Sequence, residues 1–466
     1  MKTVLETTNF DAGLIRKYDK QGPRYTSYPT AVQFNDSFDI PSYEQQVQLS
    51  NEELIPRPLS LYIHIPFCHE LCYYCGCNKK VTQHPEQAIP YLRALYREIE
   101  LQAQLFDHDR KVVQLHFGGG TPTYLTDLQL TELMAHLREH FNMPACDEHE
   151  WSIEIDPRTM DENRIDLLAD LGFNRMSLGI QDFNPIVQKA VNRIQSPEQT
   201  EALMIRAREQ GFQSISVDLI YGLPHQTVTS FNQTLDTVVA MRPDRLSIYN
   251  YAHLPELFRA QRLIKAEDLP TAETKLAMFG ETIERLGAAG YRYIGMDHFA
   301  LETDELCIAQ DEGTLQRNFQ GYSTMARCDL VGLGVSSIGQ VGDCYSQNQK
   351  IIADYQNGLE KNQLPIARGL VMHDEDRLRR AVIQQVMCQD RLDFNDFSHK
   401  YHIHFRKHFA IELDLLKVQA ADGLIKLADD YLEVTPRGRL LLRSIAMVFD
   451  QYLHHSGNTT RFSKVI

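Results

Sequence analysis

Hydrophobic residues between positions 59 and 250 switch period repeatedly. Six short runs are continuous or alternating in apolar and β-prone residues: Leu59–Pro66, Val112–Phe117, Trp151–Ile155, Arg175–Ile180, Ile215–Ile220 and Arg245–Asn250. Between them, stretches such as Ala88–Phe106, Leu128–Phe141 and Pro197–Gln210 place apolar residues at helical spacing. Strand–helix alternation predicts a parallel sheet closed or nearly closed into a barrel, and six units make three-quarters of the eight-unit form.

The flanks read differently. Residues 1–58 are polar and Pro-punctuated, and Gly22-Pro23-Arg24-Tyr25-Thr26-Ser27-Tyr28-Pro29-Thr30 is expected to be an extended arm. Beyond about residue 265 a helix is expected near Thr274–Leu286, followed by Tyr291–Phe299, the run Gln316–Tyr322 and a Gly-rich loop over Gly332–Gly339. From about Val371 the pattern is helical, with Glu375–Met387, Phe394–Tyr401 and Ile411–Ala421. The ending Gly423–Leu440 then predicts a two-stranded wing, giving a small winged-helix-type module that serves as a lid or packing domain. The expected organisation is an arm (1–58), a barrel core (59–265), a barrel extension with substrate-cavity segments (266–370) and a mainly helical C-terminal domain (371–466).

Composition narrows the function classes. The chain has 466 residues, 43% hydrophobic and 23% charged, as in a globular protein of two or three domains. No apolar run reaches the length of a membrane span, and Met1–Phe10 lacks the apolar core of a signal peptide, so a cytoplasmic location and no membrane partner are expected. A net charge of −15 argues against nucleic-acid binding and requires any anionic substrate to find a local basic pocket. In a reducing compartment Cys146, Cys307, Cys328, Cys344 and Cys388 are expected to be free thiols.

The remaining four of nine cysteines lie within ten residues, Cys68-His69-Glu70-Leu71-Cys72-Tyr73-Tyr74-Cys75-Gly76-Cys77, directly after the first predicted strand. A structural zinc site needs a second ligand pair nearby, and none follows. A thioredoxin-like pair uses two cysteines. Thiolates this close can converge on one soft metal centre. In parallel barrels chemistry sits at the C-terminal strand ends, and each strand end here carries unusual residues. These are the cysteines, then Gly118-Gly119-Gly120-Thr121-Pro122, Glu154 and Asp156, Gln181 and Asp182, Asp218 with Tyr221-Gly222-Leu223-Pro224, and Asn250-Tyr251-Ala252-His253. The glycine run lets backbone approach a ligand where a Cβ would clash. Asp218, an acid inside the apolar run Val217-Asp218-Leu219-Ile220, needs a partner such as a ribose diol or an arginine.

Cys68, Cys72 and Cys75, with aromatic Tyr74, resemble the cluster loop of the radical S-adenosylmethionine (SAM) superfamily. Cys77 and the lead-in Leu61-Tyr62-Ile63-His64-Ile65-Pro66-Phe67 make the chain similar to the oxygen-independent coproporphyrinogen III dehydrogenases of anaerobic haem biosynthesis, as does the arm phrase at Arg24–Thr30. The resemblance runs from Pro23 to the terminal Arg461–Ile466. It implies an α/β fold, a partial (β/α)6 radical SAM barrel with an N-terminal arm and a winged-helix-like C-terminal domain. Cys68, Cys72 and Cys75 are then the ligands of one 4Fe–4S cluster and the catalytic cysteines. Tyr62, Gly119, Glu154 and Ile338 match contacts to the SAM at the cluster. Tyr74, Gly120, Thr121, Gln181, Arg193, Asp218 and Ala252 match contacts to a second SAM, so two per chain are implied. Tyr74 departs from the family's phenylalanine, and Phe117 from its common tryptophan.

The implied activity is conversion of two propionates of coproporphyrinogen III to vinyl groups, giving protoporphyrinogen IX by way of a 5′-deoxyadenosyl radical. A reduced flavodoxin or ferredoxin-type electron donor and a monomeric state are implied with it, and the arm is expected to help close the substrate cavity. Arg24, Arg193 and Arg317 are candidates for the substrate carboxylates. A fourth ligand at Cys77 does not fit the three-ligand count, and His64, His116, His253 and His298 are read as satisfied core groups rather than metal ligands. A haem-trafficking chaperone or a haem-degrading enzyme on the same barrel are the alternatives. The chaperones look shorter at the N-terminus and lack the extra cysteine.

Overall fold

A computed structural model describes residue 8 and residues 10–144, 149–325 and 327–455. Cys146, the first seven residues and Arg461–Ile466, all used above, lie outside the described residues. The chain divides into two compact units, one of residues 33–270 and 327–371, the other of 271–326 and 372–466 with the residues up to Val32.

The first unit is the barrel portion. Its strands are β1 (Leu59–Ile65), β2 (Val112–Gly119), β3 (Glu150–Ile155), β4 (Arg175–Gln181), β5 (Ser214–Tyr221) and β6 (Arg245–Asn250), then β7 (Asp329–Leu333), β8 (Ile338–Val341), β9 (Cys344–Asn348) and β10 (Ile366–Val371). β1 to β6 pair side by side in parallel, Leu59 on Val112 and Ile65 on Gly119 at the start of the series. All six predicted strands therefore form, within two residues of the expected ends. They form because Leu61, Ile63, Leu115, Phe117, Ile153, Leu178, Val217, Leu219 and Ile248 are all buried to 1% exposure or less.

The sheet also grows from the other edge of β1. The expected Gly-rich loop is instead a seventh parallel strand and a reversal: β7 pairs with β1, Tyr62 opposite Gly332, and β8 to β10 continue antiparallel. Leu330, Val331 and Leu333 are buried and supply the apolar run. Gly332 is there because β8 passes so close that a Cβ would lie 2.7 Å from the Ile338 carbonyl carbon.

Helices α1 (Ile89–Ala103), α2 (Asp127–His140) and α3 (Pro197–Glu209) occupy the predicted crossovers. α2 starts at a capping box in which Thr126 and Gln129 satisfy each other's backbone N–H. α1 buries Tyr91, Leu92, Leu95 and Ile99, and with them Glu98, whose carboxylate accepts from Gly334 N (2.7 Å), Asn348 Nδ2 (2.6 Å) and Tyr355 OH (2.6 Å). This buried acid ties the crossover helix to the β7–β8 turn. Helix Ile40–Asn51, N-capped by Asp39, belongs to this unit.

The second unit has a core rich in phenylalanine, including Phe394, Phe397, Phe405, Phe409 and Phe449. Its helices Ala272–Ala288, Asp374–Cys388, Phe394–Tyr401 and Ala410–Ala421 lie where expected. The wing has three strands rather than two: Arg391–Asp393 pairs with Tyr431–Val434, which pairs with Ile425–Leu427. Tyr25 and Tyr28 of the predicted arm are built into this core, where Tyr25 OH donates to Asp450 at 2.9 Å. Among the described residues no helix is long and apolar enough to cross a membrane.

Candidate active site

The C-terminal ends of β1 to β5 surround a cavity of about 770 Å3. Its rim begins at Pro66, directly after β1. Phe67–Cys68 pairs in parallel with Lys80–Val81, closing the base of the cysteine loop. Cys75 N bonds to Cys72 O at 3.2 Å, a turn that brings these two residues together. The segment after β4 clamps the loop from outside, with Tyr73 N on Val191 O (3.0 Å) and Asn192 Nδ2 on Leu71 O (2.9 Å).

The four loop thiols are free and line the cavity, Cys68 and Cys72 buried, Cys75 half-buried, Cys77 exposed. Burial pushes the Cys68 thiol up to about 11, and a hydrogen bond with Cys77 draws Cys75 down to about 5 while raising Cys77. Thr121 Oγ1 lies 3.6 Å from Cys68 Sγ, and Arg158 Nη2 and Arg193 Nη1 each lie 3.6 Å from Cys72 Sγ. Asp156 holds both guanidiniums, Arg158 Nη2 at 2.7 Å and Arg193 Nη1 at 3.1 Å. Burial raises the Asp156 carboxyl, but Arg193 and Arg158 outweigh it and hold it below the usual carboxylate range.

The glycine run forms the adjoining wall. A Cβ on Gly118 would lie 2.8 Å from Glu154 Oε1, and one on Gly120 would lie 2.8 Å from the Phe67 carbonyl oxygen. Gly119 has φ +116°, and its N–H donates to Glu154 Oε2 at 3.2 Å. His116 Nε2 lies 3.3 Å from Glu154 Oε1 and the His116 ring stacks on Tyr62. Burial raises Glu154, and the His116 hydrogen bond and charge reverse this to a net lowering. Asp218 moves the other way, pushed up to about 6 by burial and then by the Glu154 charge. One cavity thus holds a firmly ionised acid and one that titrates near neutrality.

These residues fit an iron–sulfur cluster with a chelating ligand beside it. Three soft sulfur donors sit on one short loop, and next to them is a wall with no room for side chains and with backbone N–H groups.

The comparisons agree with that chemistry. Residues 62–238 match the Radical SAM superfamily model, and residues 372–441 match the HemN C-terminal domain model. The chain is 55% identical over 463 residues to the oxygen-independent coproporphyrinogen III oxidase of Pseudomonas aeruginosa, covering 99% of this chain and 100% of that protein. It is 49% identical to the Escherichia coli protein of the same name, again over 99% and 100%. The solved structure of coproporphyrinogen III oxidase (HemN) from Escherichia coli, described as a radical SAM enzyme, superposes with a TM-score of 0.91 at 48% identity, over 96% of this chain and 100% of that one. The chain belongs to the oxygen-independent coproporphyrinogen III oxidase family.

As a member of this oxidase family it is a radical SAM enzyme, with the 4Fe–4S cluster and SAM that this chemistry uses. Of the residues singled out in the sequence, Cys68, Cys72, Cys75, Tyr74, Gly119, Gly120, Thr121, Glu154, Gln181, Arg193 and Asp218 line the cavity together. Tyr62, Ala252 and Ile338 are not among the lining residues. Tyr62 stands behind Gly118, Ile338 opens β8 beside Gly332, and Ala252 is exposed just beyond β6. His64 has Gly119 against its ring and contacts Tyr62 OH and Asn78 O at 3.2 Å each, and His298 contacts Met296 O at 2.7 Å, so both are satisfied within the protein. Gln181 has φ +70°, a left-handed conformation for a cavity-lining side chain.

Sequence reasoning did not single out Arg158, although it touches Cys72 and also donates to Glu70 Oε2 at 2.7 Å. Its one signal is Asp156-Pro157-Arg158 directly after a strand, an acid with a cation two residues on.

Proposed function

We propose that this oxidase removes two propionate carboxyls of coproporphyrinogen III oxidatively and without oxygen, leaving vinyl groups and protoporphyrinogen IX. The observation that carries the reading is the set of three thiols converging beside a glycine wall, in a chain alike over its whole length to oxidases of that name. Cys68, Cys72 and Cys75 hold the cluster. A cluster held there would supply the electron for reductive cleavage of SAM. At each propionate a hydrogen atom would pass from the β-carbon to the 5′-deoxyadenosyl radical, giving 5′-deoxyadenosine, carbon dioxide would leave as the carbon–carbon bond breaks, and one electron would pass to an acceptor.

The chain's own residues bind and orient. Gly119 N–H and Glu154, with Tyr62 and Ile338, are assigned to the SAM at the cluster. Tyr74, Gly120, Thr121, Gln181, Arg193, Asp218 and Ala252 are assigned to a second SAM. Arg158 and Arg193 donate toward Cys72, and N–H donors on a thiolate ligand make a cluster easier to reduce. A cytoplasmic monomer served by a reduced flavodoxin or ferredoxin-type donor completes the reading. The haem-trafficking and haem-degrading alternatives are not favoured, because the full-length relatives are oxidases.

The test is product formation under strict anaerobiosis with reconstituted cluster, SAM, a strong reductant and coproporphyrinogen III. Protoporphyrinogen with matching 5′-deoxyadenosine is the expected result. SAM cleavage that leaves the porphyrinogen untouched would overturn the substrate assignment.

A further inference from the structure

Arg317 lies on the hairpin Gln316–Asn318/Gly321–Ser323 and is 5% exposed. It is fixed at both ends. Its backbone N–H donates to Gln384 Oε1 (3.2 Å) and its carbonyl accepts from Gln384 Nε2 (2.6 Å). Its guanidinium lies over the Tyr322 ring at 4.9 Å, and Nε donates to the Arg24 carbonyl at 3.4 Å. Its Nη1 is buried with no hydrogen-bond partner among the described residues. A buried cation with an unmet donor is costly to a protein unless something accepts from it.

The surroundings are cationic. Arg443, 3% exposed, donates through Nε to Pro23 O at 3.0 Å and through Nη2 to Gly22 O, which pins the segment carrying Arg24. Burial pulls the Arg443 guanidinium down to about 10, and the charges of Arg24 and Arg317 pull it the same way. Against these three guanidiniums stand Asp297, 3.4 Å from Arg24 Nη1, and Asp450, which already accepts the Tyr25 phenol. Asp297 is held in place by a left-handed turn, with Met296 at φ +45° and Asp297 at φ +72°.

We infer that Arg317 and Arg24 form a carboxylate-binding subsite, with Arg443 as the residue that positions Arg24, and that this subsite takes a propionate of the substrate. A planar carboxylate matches the unfilled edge of a guanidinium whose face is already stacked. The propionate assignment rests on the function proposed above.

The experiment uses the full-length, cluster-loaded protein and coproporphyrin III, the stable oxidised ring with its four carboxylates. Binding is titrated by fluorescence in wild type, R317Q and R24Q, with the neutral tetra-amide of the same ring as comparator. The expected result is affinity for coproporphyrin III weakened about tenfold or more in R317Q and less in R24Q. Binding of the tetra-amide and the iron–sulfur absorbance stay unchanged. Because the Arg24 side chain is 37% exposed, R24Q keeps the test decisive even where R317Q fails to fold. Variants that bind coproporphyrin III as tightly as a wild type that turns over the substrate overturn the subsite alone. A wild type that neither binds nor converts the porphyrinogen overturns the proposed function and the subsite with it.

Discussion

Replacing Arg110 by methionine isolates the ion pair that anchors the barrel sheet at its N-terminal side. Asp329, at the start of β7, is fully buried and accepts from Arg110 Nη2 at 2.6 Å, from Gly342 N at 3.0 Å and from Ser50 Oγ. Arg110 also donates through Nη1 to Asn51 Oδ1 (2.8 Å) and through Nε to Arg57 O (2.9 Å). One guanidinium thus joins helix Ile40–Asn51, the segment entering β2 and the strand that extends the sheet. Removing one partner of a buried pair costs about 3–5 kcal/mol, because the other charge stays behind. Asp329 keeps two donors and has Arg57 Nη1 at 4.0 Å, which puts R110M near the lower end, about 3 kcal/mol. The chain's single tryptophan, Trp151, is buried in β3 of the same unit and reports its unfolding. Guanidinium denaturation followed by its fluorescence should show a lower midpoint with an unchanged slope. R110M/D329N should recover about 1–3 kcal/mol as coupling energy. A loss below about 1 kcal/mol in R110M, or a double variant as unstable as the sum of its parts, would refute the argument.

Cys72→Ala should abolish iron–sulfur absorbance and SAM cleavage together, whereas Cys77→Ala, at an exposed thiol outside the trio, should retain both; anaerobic reconstitution and absorbance check the pair. Gly120→Ala places a Cβ against Phe67 backbone at 2.8 Å, which cannot give way as a side-chain end can, so SAM affinity by calorimetric titration should fall about tenfold or more while the Trp151 unfolding curve loses about 1–3 kcal/mol. Glu98 is raised from 4.5 to about 7 by burial, so its stabilising contribution is complete below pH 4.5 and is lost as pH rises through 7. That rise corresponds to about 3 kcal/mol. Denaturation midpoints of wild type and E98Q should therefore converge or cross over this window, and a pH-independent difference would count against the assignment.

The six barrel strands were legible because each is a short apolar run ending in glycine, acid or cysteine, and both faces of a parallel sheet are buried. β7 was not, because Gly332 and Gly334 mimic a loop; they are required by the close passage of β8 and of His64, whose carbonyl oxygen lies 2.7 Å from a Cβ built on Gly334. The third wing strand has one buried residue, Leu392, between Arg391 and Asp393, too little for a periodic signal. The cysteine trio was readable from spacing, but the guanidiniums on Cys72 were not. Arg158 and Arg193 come from segments 86 and 121 residues away, and only the strand order β1 to β4 brings them together. The glycine run illustrates the intermediate case: its need for small residues was visible, but Gly118 makes room for Glu154, Gly119 for His64 and Gly120 for Phe67 backbone. These are three separate constraints that a motif cannot distinguish.

Charge follows the same division between what adds up along a chain and what folding assembles. A total of −15 describes the surface seen from afar, beyond a screening length of about 8 Å at physiological salt. Inside, buried guanidiniums are placed singly and matched singly. Arg110 has Asp329, Asn51 and the Arg57 carbonyl. Arg193 has Asp156 and the Gly179 carbonyl. Around Cys72 the pair Arg158 and Arg193 is matched by two acids, Asp156 shared between them and Glu70 on Arg158, and both guanidiniums still donate toward the Cys72 sulfur, which must be a thiolate to hold metal. Around Arg317, Nη1 has no acceptor among the described residues. In the subsite proposed above, the acceptor for Arg317 Nη1 is a carboxylate of the substrate, whereas at Cys72 the guanidiniums already have Asp156 and Glu70 as partners.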